Sequence, residues 1–179
     1  MKRIIPILAT LTLSSLNAWA ETPNETTIDW TSAKEVKSLV VLRLEPQQGE
    51  VTYGPNLAQS DQSFMGSFSE IYLTRVIAPT NEEAYTLFIT ANHNDQDWHS
   101  YDTAKKKDGE KLDLQTLGRN ENVSVNNVDY KYEERLAIIM SFIDFADGFD
   151  FGLELTISGK QTDTIMIPAT YFRAMLQSM

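Results

Sequence analysis

The chain has 179 residues, of which 42% are apolar, 22% charged and 10% aromatic, with 15 basic against 25 acidic side chains and no cysteine. That length suits one domain, long enough to bury a core without disulfides or structural zinc. Eight glycines and six prolines are too few for a collagen or low-complexity chain, and the only long apolar stretch lies at the extreme N-terminus, which excludes a multi-pass membrane protein built from helices.

That stretch has the order of an export signal. Lys2 and Arg3 form a basic start, Ile4 to Leu16 an apolar middle interrupted by Pro6, and Ala18-Trp19-Ala20 a small-x-small cleavage site. Residues 1–20 are therefore expected to be a signal peptide, and the product to begin at Glu21. No cysteine follows to carry a lipid, so a soluble protein of the periplasm, or a secreted one, is expected, with no membrane span after cleavage. Cleavage removes two basic groups and no acidic one, leaving 13 against 25 and a formal charge of −12. Such a chain repels nucleic acid and anionic lipid; it suits cations or basic proteins, and an acidic excess is also an ordinary aid to solubility. Asn24-Glu25-Thr26 and Asn122-Val123-Ser124 match the glycosylation sequon, which carries no meaning behind a signal of bacterial type.

Residues 21–35 are polar and aperiodic and read as a loose arm or a short capping helix outside the core. Residues 36–179 read as a single β-rich domain. A β-branched run from Val36 to Leu44, stopped by Pro46, predicts the first strand. Gln47 to Gly66 reads as a loop. Ile71, Leu73 and Ile77 alternate with polar partners, as do Tyr85, Leu87, Ile89 and Ala91, which predicts two half-buried strands. Segments 98–104 and 111–117 flank Asp108-Gly109, a dipeptide that supplies the positive φ of a hairpin turn. Val128, Tyr130, Tyr132, Leu136, Ile138 and Met140 mark one face of a long strand, and Phe149, Phe151, Leu153, Leu155 and Ile157 one face of the next. Residues 142–147 form a turn-rich, helix-leaning connection, 159–162 a turn, and 164–167 a last strand. After Pro168, Phe172, Met175 and Leu176 fall at helical spacing. Short strands closed by turns predict an all-β antiparallel sandwich or incomplete barrel with a short C-terminal helix.

Three constellations could carry chemistry. His93-Asn94-Asp95-Gln96-Asp97-Trp98-His99 holds both histidines. Imidazole and carboxylate suit a transition metal, but residues six apart on a strand stand about 20 Å apart, so the two rings can meet only if residues 92–97 make a tight loop. With no HExxH and no third histidine, the segment reads as a polar connection and no metal site is expected. Asp144-Phe145-Ala146-Asp147-Gly148-Phe149-Asp150 clusters oxygen donors without calcium-loop spacing and reads as a turn. Glu134 shares the parity of Tyr132 and Leu136, which aims its carboxylate at the core and demands a partner. Arg119, placed in the turn after the preceding strand, is the first candidate and Arg75 the alternative. A structural ion pair is expected there, because an arginine partner disarms a general acid. No nucleophile elbow or phosphate loop is present, and Lys105 to Lys107 read as a solvated hairpin tip.

The order Trp98, Tyr101, Ala104, Asp108-Gly109, Leu112, Arg119, Tyr132-x-Glu134, Ile138, Gly159, Ile167-Pro168 and Tyr171 resembles that of a group of small, uncharacterised exported β-rich proteins of Gram-negative bacteria. The resemblance covers residues 98–176 and implies no activity. Members of the group often carry cysteines shortly before the Tyr-x-Glu, where this chain has Val123 to Asp129.

The resulting expectation is a non-catalytic periplasmic binding or accessory protein for an unknown protein or small-molecule ligand, with no cofactor and no assigned catalytic or metal residues. An acidic inhibitor of a basic exported enzyme is the alternative, and a hydrolase using Glu134 or the two-histidine loop the less favoured one.

Overall fold

The structure is a computed structural model that describes residues 28–59 and 68–177. The expected signal peptide and residues 21–27 of the expected arm lie outside the described residues, as do 60–67 of the expected long loop. Nine strands form one antiparallel sheet in the order β1-β2-β3-β4-β7-β6-β5-β8-β9, curled into a half-barrel. They are β1 (Val41–Glu45), β2 (Gly49–Tyr53), β3 (Phe68–Ile77), β4 (Glu83–His93), β5 (Thr103–Lys106), β6 (Lys111–Val125), β7 (Val128–Met140), β8 (Leu153–Ser158) and β9 (Thr162–Ile167). Among the described residues three α-helices accompany them, α1 (Ala33–Ser38), α2 (Phe142–Phe151) and α3 (Ala169–Gln177), with a single 3-10 turn at Leu57–Gln59. The all-β class, the incomplete barrel and the short C-terminal helix are thus as the alternation of the sequence implies.

Period-two patterning explains the central strands. Ile71 and Leu73 of β3, Tyr85, Leu87 and Ile89 of β4, and Leu136, Ile138 and Met140 of β7 all turn into one core, which also takes Leu153, Leu155, Ile157, Ile165 and Ile167 from β8 and β9. The helices contribute Val36, Phe145, Tyr171, Phe172 and Met175 to the same core. Gly148 lets α3 approach α2, since a Cβ there would stand 2.6 Å from the Phe172 ring.

Local signals placed several boundaries differently. Val36 to Ser38, read as the start of the first strand, belong to α1: the Ser32 side chain accepts from the Glu35 amide and caps the helix, and Val36 is wholly buried. The described part of the arm, from Ile28, is not outside the core either, because Trp30 is buried in it and Ile28 packs against it. The region read as a loop after Pro46 contains β2, which folds back on β1 with Gly49 at φ 90°. Trp98 to Asp102 precede β5 without strand structure, and the Asp108-Gly109 hairpin joins much shorter pairing than expected, with Ala104 and Lys105 opposite Leu112 and Lys111. Phe149 and Phe151 are not on a strand; a capping box between Ser141 and Asp144 starts α2, which runs through both, and Phe151 stays 87% exposed. In α3, Phe172 and Met175 are buried as the spacing implies, whereas Leu176 is exposed.

Candidate functional site

At one end of the half-barrel, β4 finishes at His93 opposite Tyr132 of β7, with Ala91 opposite Glu134 two residues further in. The chain then leaves the sheet for residues 94–102 before entering β5. This excursion is tied down on both sides. The Asn94 amide mimics a strand rung against β7, donating to Asp129 O at 3.2 Å and accepting from the Lys131 amide at 2.7 Å. The Lys160 amide, in the β8–β9 turn, donates to His99 O at 2.7 Å, and the Lys160 ammonium pairs with Asp97. Gly159 is required beneath, since a Cβ would lie 2.2 Å from Ser100 O. Trp98 packs on Tyr132 with ring centroids 4.4 Å apart, and the Arg119 guanidinium carbon stands 6.0 Å from the Trp98 ring centroid.

The loop is therefore tight, the condition on which a meeting of the two histidines depended. Their rings stack with centroids 3.6 Å apart and 12° between planes. Asp95 lies between them and solvent: its Oδ2 is 2.5 Å from His99 Nε2 and 3.8 Å from His93 Nδ1. One donor atom from each of His93, Asp95 and His99 falls within 4.8 Å of the others. His93 and His99 are buried, while Asp95 is exposed.

Glu134 is the floor of the site and is wholly buried. Its Oε1 accepts from the Ser100 amide at 2.8 Å and faces His93 Nε2 at 3.8 Å; its Oε2 accepts from Arg119 Nε at 3.2 Å. Arg119 is the expected partner, but it lies within the long strand β6, directly opposite Glu134, rather than in a turn. Arg75 is engaged elsewhere, forking onto Glu83 with Nη2 to Oε1 at 2.8 Å. Ser100, which serves Glu134, holds a φ of 53°, a conformation uncommon for a residue with a side chain.

On the other side His99 is joined to residues that the sequence reading did not assemble. The Tyr101 hydroxyl donates to Asp163 Oδ2 at 2.5 Å and lies 2.9 Å from His99 Nδ1. Its only proton is given to Asp163, so it accepts from His99, which makes Nδ1 the protonated nitrogen. Burial, and next the hydrogen bond to Asp163, push the Tyr101 hydroxyl far above its ordinary value and keep it a neutral donor. No local pattern could have found Asp163, which reaches the loop from β9, 62 residues along the chain.

The electrostatics separate the three donors. Burial, and then the His99 ring beside it, hold the His93 imidazole below its ordinary value, against the pull of Asp95 and Glu134. The bond to His99 holds the Asp95 carboxyl below the usual carboxylate range. Most telling, neither ring nitrogen of His93 has a hydrogen-bond partner. The other constellations are structural in form. Asp144 caps α2 and takes a 2.8 Å bond from Lys106, Asp147 and Asp150 are exposed on the same helix, and Lys107 pairs with Glu154.

No family model matches the chain, and no curated protein or solved structure is significantly similar to it.

Proposed function

We propose that the chain is a non-catalytic binding or accessory protein of the Gram-negative periplasm, exported through residues 1–20, and that it binds its ligand at the loop from His93 to His99. The observation that carries this is His93: a buried imidazole with both nitrogens unbonded costs about 1–3 kcal/mol in the free protein. A ligand that engages it recovers that cost. The loop is held from β7 and from the β8–β9 turn, which suits a preformed site.

A hydrolytic role draws less support, because Glu134 is already occupied by Ser100 and Arg119 and among the described residues no serine is bonded to either histidine. The acidic-inhibitor alternative rests only on the formal charge, and tight binding to a basic protein that weakens steeply with salt, unaffected by changes at His93, would favour it.

The test needs no knowledge of the ligand. In chelator-treated protein, His93→Phe and His93→Leu remove the unpaired nitrogens, so the better of the two should match or exceed the parent in thermal midpoint. If both lose more than about 1 kcal/mol, roughly 2–4 °C for a domain of this size, His93 is a structural residue and the binding site is misassigned. Export is tested separately: N-terminal sequencing of the periplasmic protein should begin at Glu21, and a cytoplasmic product retaining Met1 overturns it.

A further inference from the structure

The hydrogen bonds around His99 aim its Nε2 at Asp95, beside the unbonded His93 ring. With Nδ1 donating to Tyr101, His99 turns its Nε2 onto an Asp95 carboxylate oxygen at 2.5 Å. A positive charge belongs between these two atoms, and either a proton on Nε2 or a metal ion supplies it. His93 Nδ1 faces the same Asp95 oxygen at 3.8 Å, and its ring is nine-tenths buried and unbonded.

Resting on the reading of this loop as a binding site, we infer that its ligand is a single divalent transition-metal ion of the zinc class, held by His93 Nδ1, Asp95 Oδ2 and His99 Nε2. Two imidazoles and one carboxylate are a donor set for such ions rather than for calcium or magnesium, which take oxygen ligands. Ligand bonds of about 2.0–2.2 Å require donor atoms roughly 3.3–3.5 Å apart. The present contacts bracket that spacing, the Asp95–His99 contact being shorter and the Asp95–His93 contact longer. Asp95 is the exposed member and its movement adjusts both of these contacts, with the fourth position opening to solvent on its side, while the two rings, stacked 12° from parallel, must splay to bring both in-plane lone pairs onto one ion.

The surroundings carry the argument past the three donors. Ligating histidines characteristically give their second nitrogen to a carboxylate or another fixed acceptor, which sets the tautomer and aims the ring. His99 has Tyr101 and then Asp163 in that place, and His93 has Glu134 Oε1 facing its Nε2 at 3.8 Å. Glu134 is in turn fixed by Ser100 and Arg119. Each ring thus has an outer carboxylate, and neither outer carboxylate is a ligand.

The experiment uses untagged full chain, stripped with chelator and titrated with Zn2+ by calorimetry, with Co2+ as a spectroscopic probe. The expected result is one ion per chain, a raised thermal midpoint, and cobalt absorption bands of a nitrogen- and oxygen-ligated site of low coordination number. Asp95 is exposed, so Asp95→Asn should keep the fold while weakening zinc at least tenfold, and His93→Phe should do the same. Absence of binding at micromolar zinc overturns the metal assignment; if His93→Phe is nonetheless as stable as the parent, the loop remains a site for another ligand. Binding that survives both Asp95→Asn and His93→Phe unchanged marks an adventitious surface site and also overturns it. Loss of stability in both His93 variants, with no zinc bound by the parent, overturns the binding reading itself.

Discussion

Arg119 and Glu134 stand directly opposite one another on β6 and β7, and the guanidinium Nε reaches the buried carboxylate at 3.2 Å. Glu134 has no exposure, whereas the Arg119 side chain keeps 41%. The carboxylate is the costly member: removed from water, it depends on Arg119 and on the Ser100 amide for compensation.

Removing either partner alone should therefore have unequal effects. Arg119→Met leaves a buried carboxylate with only the Ser100 amide and should destabilise by about 3–5 kcal/mol. Glu134→Leu strands a half-exposed arginine that water can serve, so its loss should be smaller. The double variant Glu134→Leu/Arg119→Met should recover much of the Arg119→Met loss, with a coupling of about 1–3 kcal/mol in urea denaturation. The parallel cycle with Arg75→Met should be additive within about 0.5 kcal/mol, because Arg75 belongs to Glu83. Strong coupling to Arg75 and none to Arg119 would contradict the register of β6 on β7.

Glu134 also marks what was legible beforehand. Parity along β7 is a local property, since side chains alternate strictly on a strand, so the inward aim of Glu134 and its need for an arginine could be read from Tyr132 and Leu136. That Arg119 lies on a strand could not, because β6 continues across Gly118, where the register with β7 shifts, and glycine reads as a turn in one dimension. A short capping helix within 21–35 and a helix-leaning 142–147 were legible, but the full extents of α1 and α2 escaped for the opposite reason. Val36, Phe149 and Phe151 are residues that favour strands, yet Ser32 and the Ser141–Asp144 box cap helices there. The histidine pair was visible as a pair; its convergence was not, since it depends on Asn94 bonding to β7 and Lys160 to His99.

His93 should give the protein a measurable pH dependence. Its ordinary value is 6.5, and in the folded protein it is lowered by burial and the neighbouring His99 ring. Below 6.5 the unfolded chain therefore takes up a proton that folded His93 resists, so this contribution to stability is complete above 6.5 and is lost as pH falls below it. Thermal midpoints of metal-free protein should fall between pH 7.5 and pH 5.5, and the fall should be smaller in His93→Phe. An unchanged slope in the variant would show that His93 is not the group responsible.

Asp144 should behave as a cap and a partner at once. Burial pushes its carboxyl up, but the bonds from Lys106 and then Ser141 outweigh it and hold it below the usual 3.8. Its contribution is thus present above 3.8 and lost as pH falls through the lower folded value. Asp144→Ala should cost about 1–2 kcal/mol at neutral pH and much less at pH 2.5, measured by urea unfolding at both. Equal losses at the two pH values would mean that packing, and not charge, is what the substitution removes.

Two buried tyrosines should separate stability from binding. The Tyr171 hydroxyl donates to Pro55 O at 2.8 Å and accepts from the Leu73 amide at 3.1 Å, pinning α3 to β3 and the segment after β2. Tyr171→Phe leaves both backbone groups unsatisfied and should cost about 1–3 kcal/mol. Gly54 makes the close approach possible: a Cβ there would meet the hydroxyl at 2.1 Å and the ring carbon Cζ at 2.5 Å. Gly54→Ala should therefore be destabilising even in the Tyr171→Phe background, since removing the hydroxyl leaves the ring in place. Neither change touches the loop, so zinc affinity should stay within about threefold of the parent at temperatures where the variants are folded. Tyr101→Phe is the converse case. It removes the group that fixes the His99 tautomer, and loss of such an outer partner typically weakens a metal about 10–100-fold. A Tyr101→Phe protein that binds zinc as the parent does, beside a Tyr171→Phe protein that does not, would show that the ion sits elsewhere in the fold.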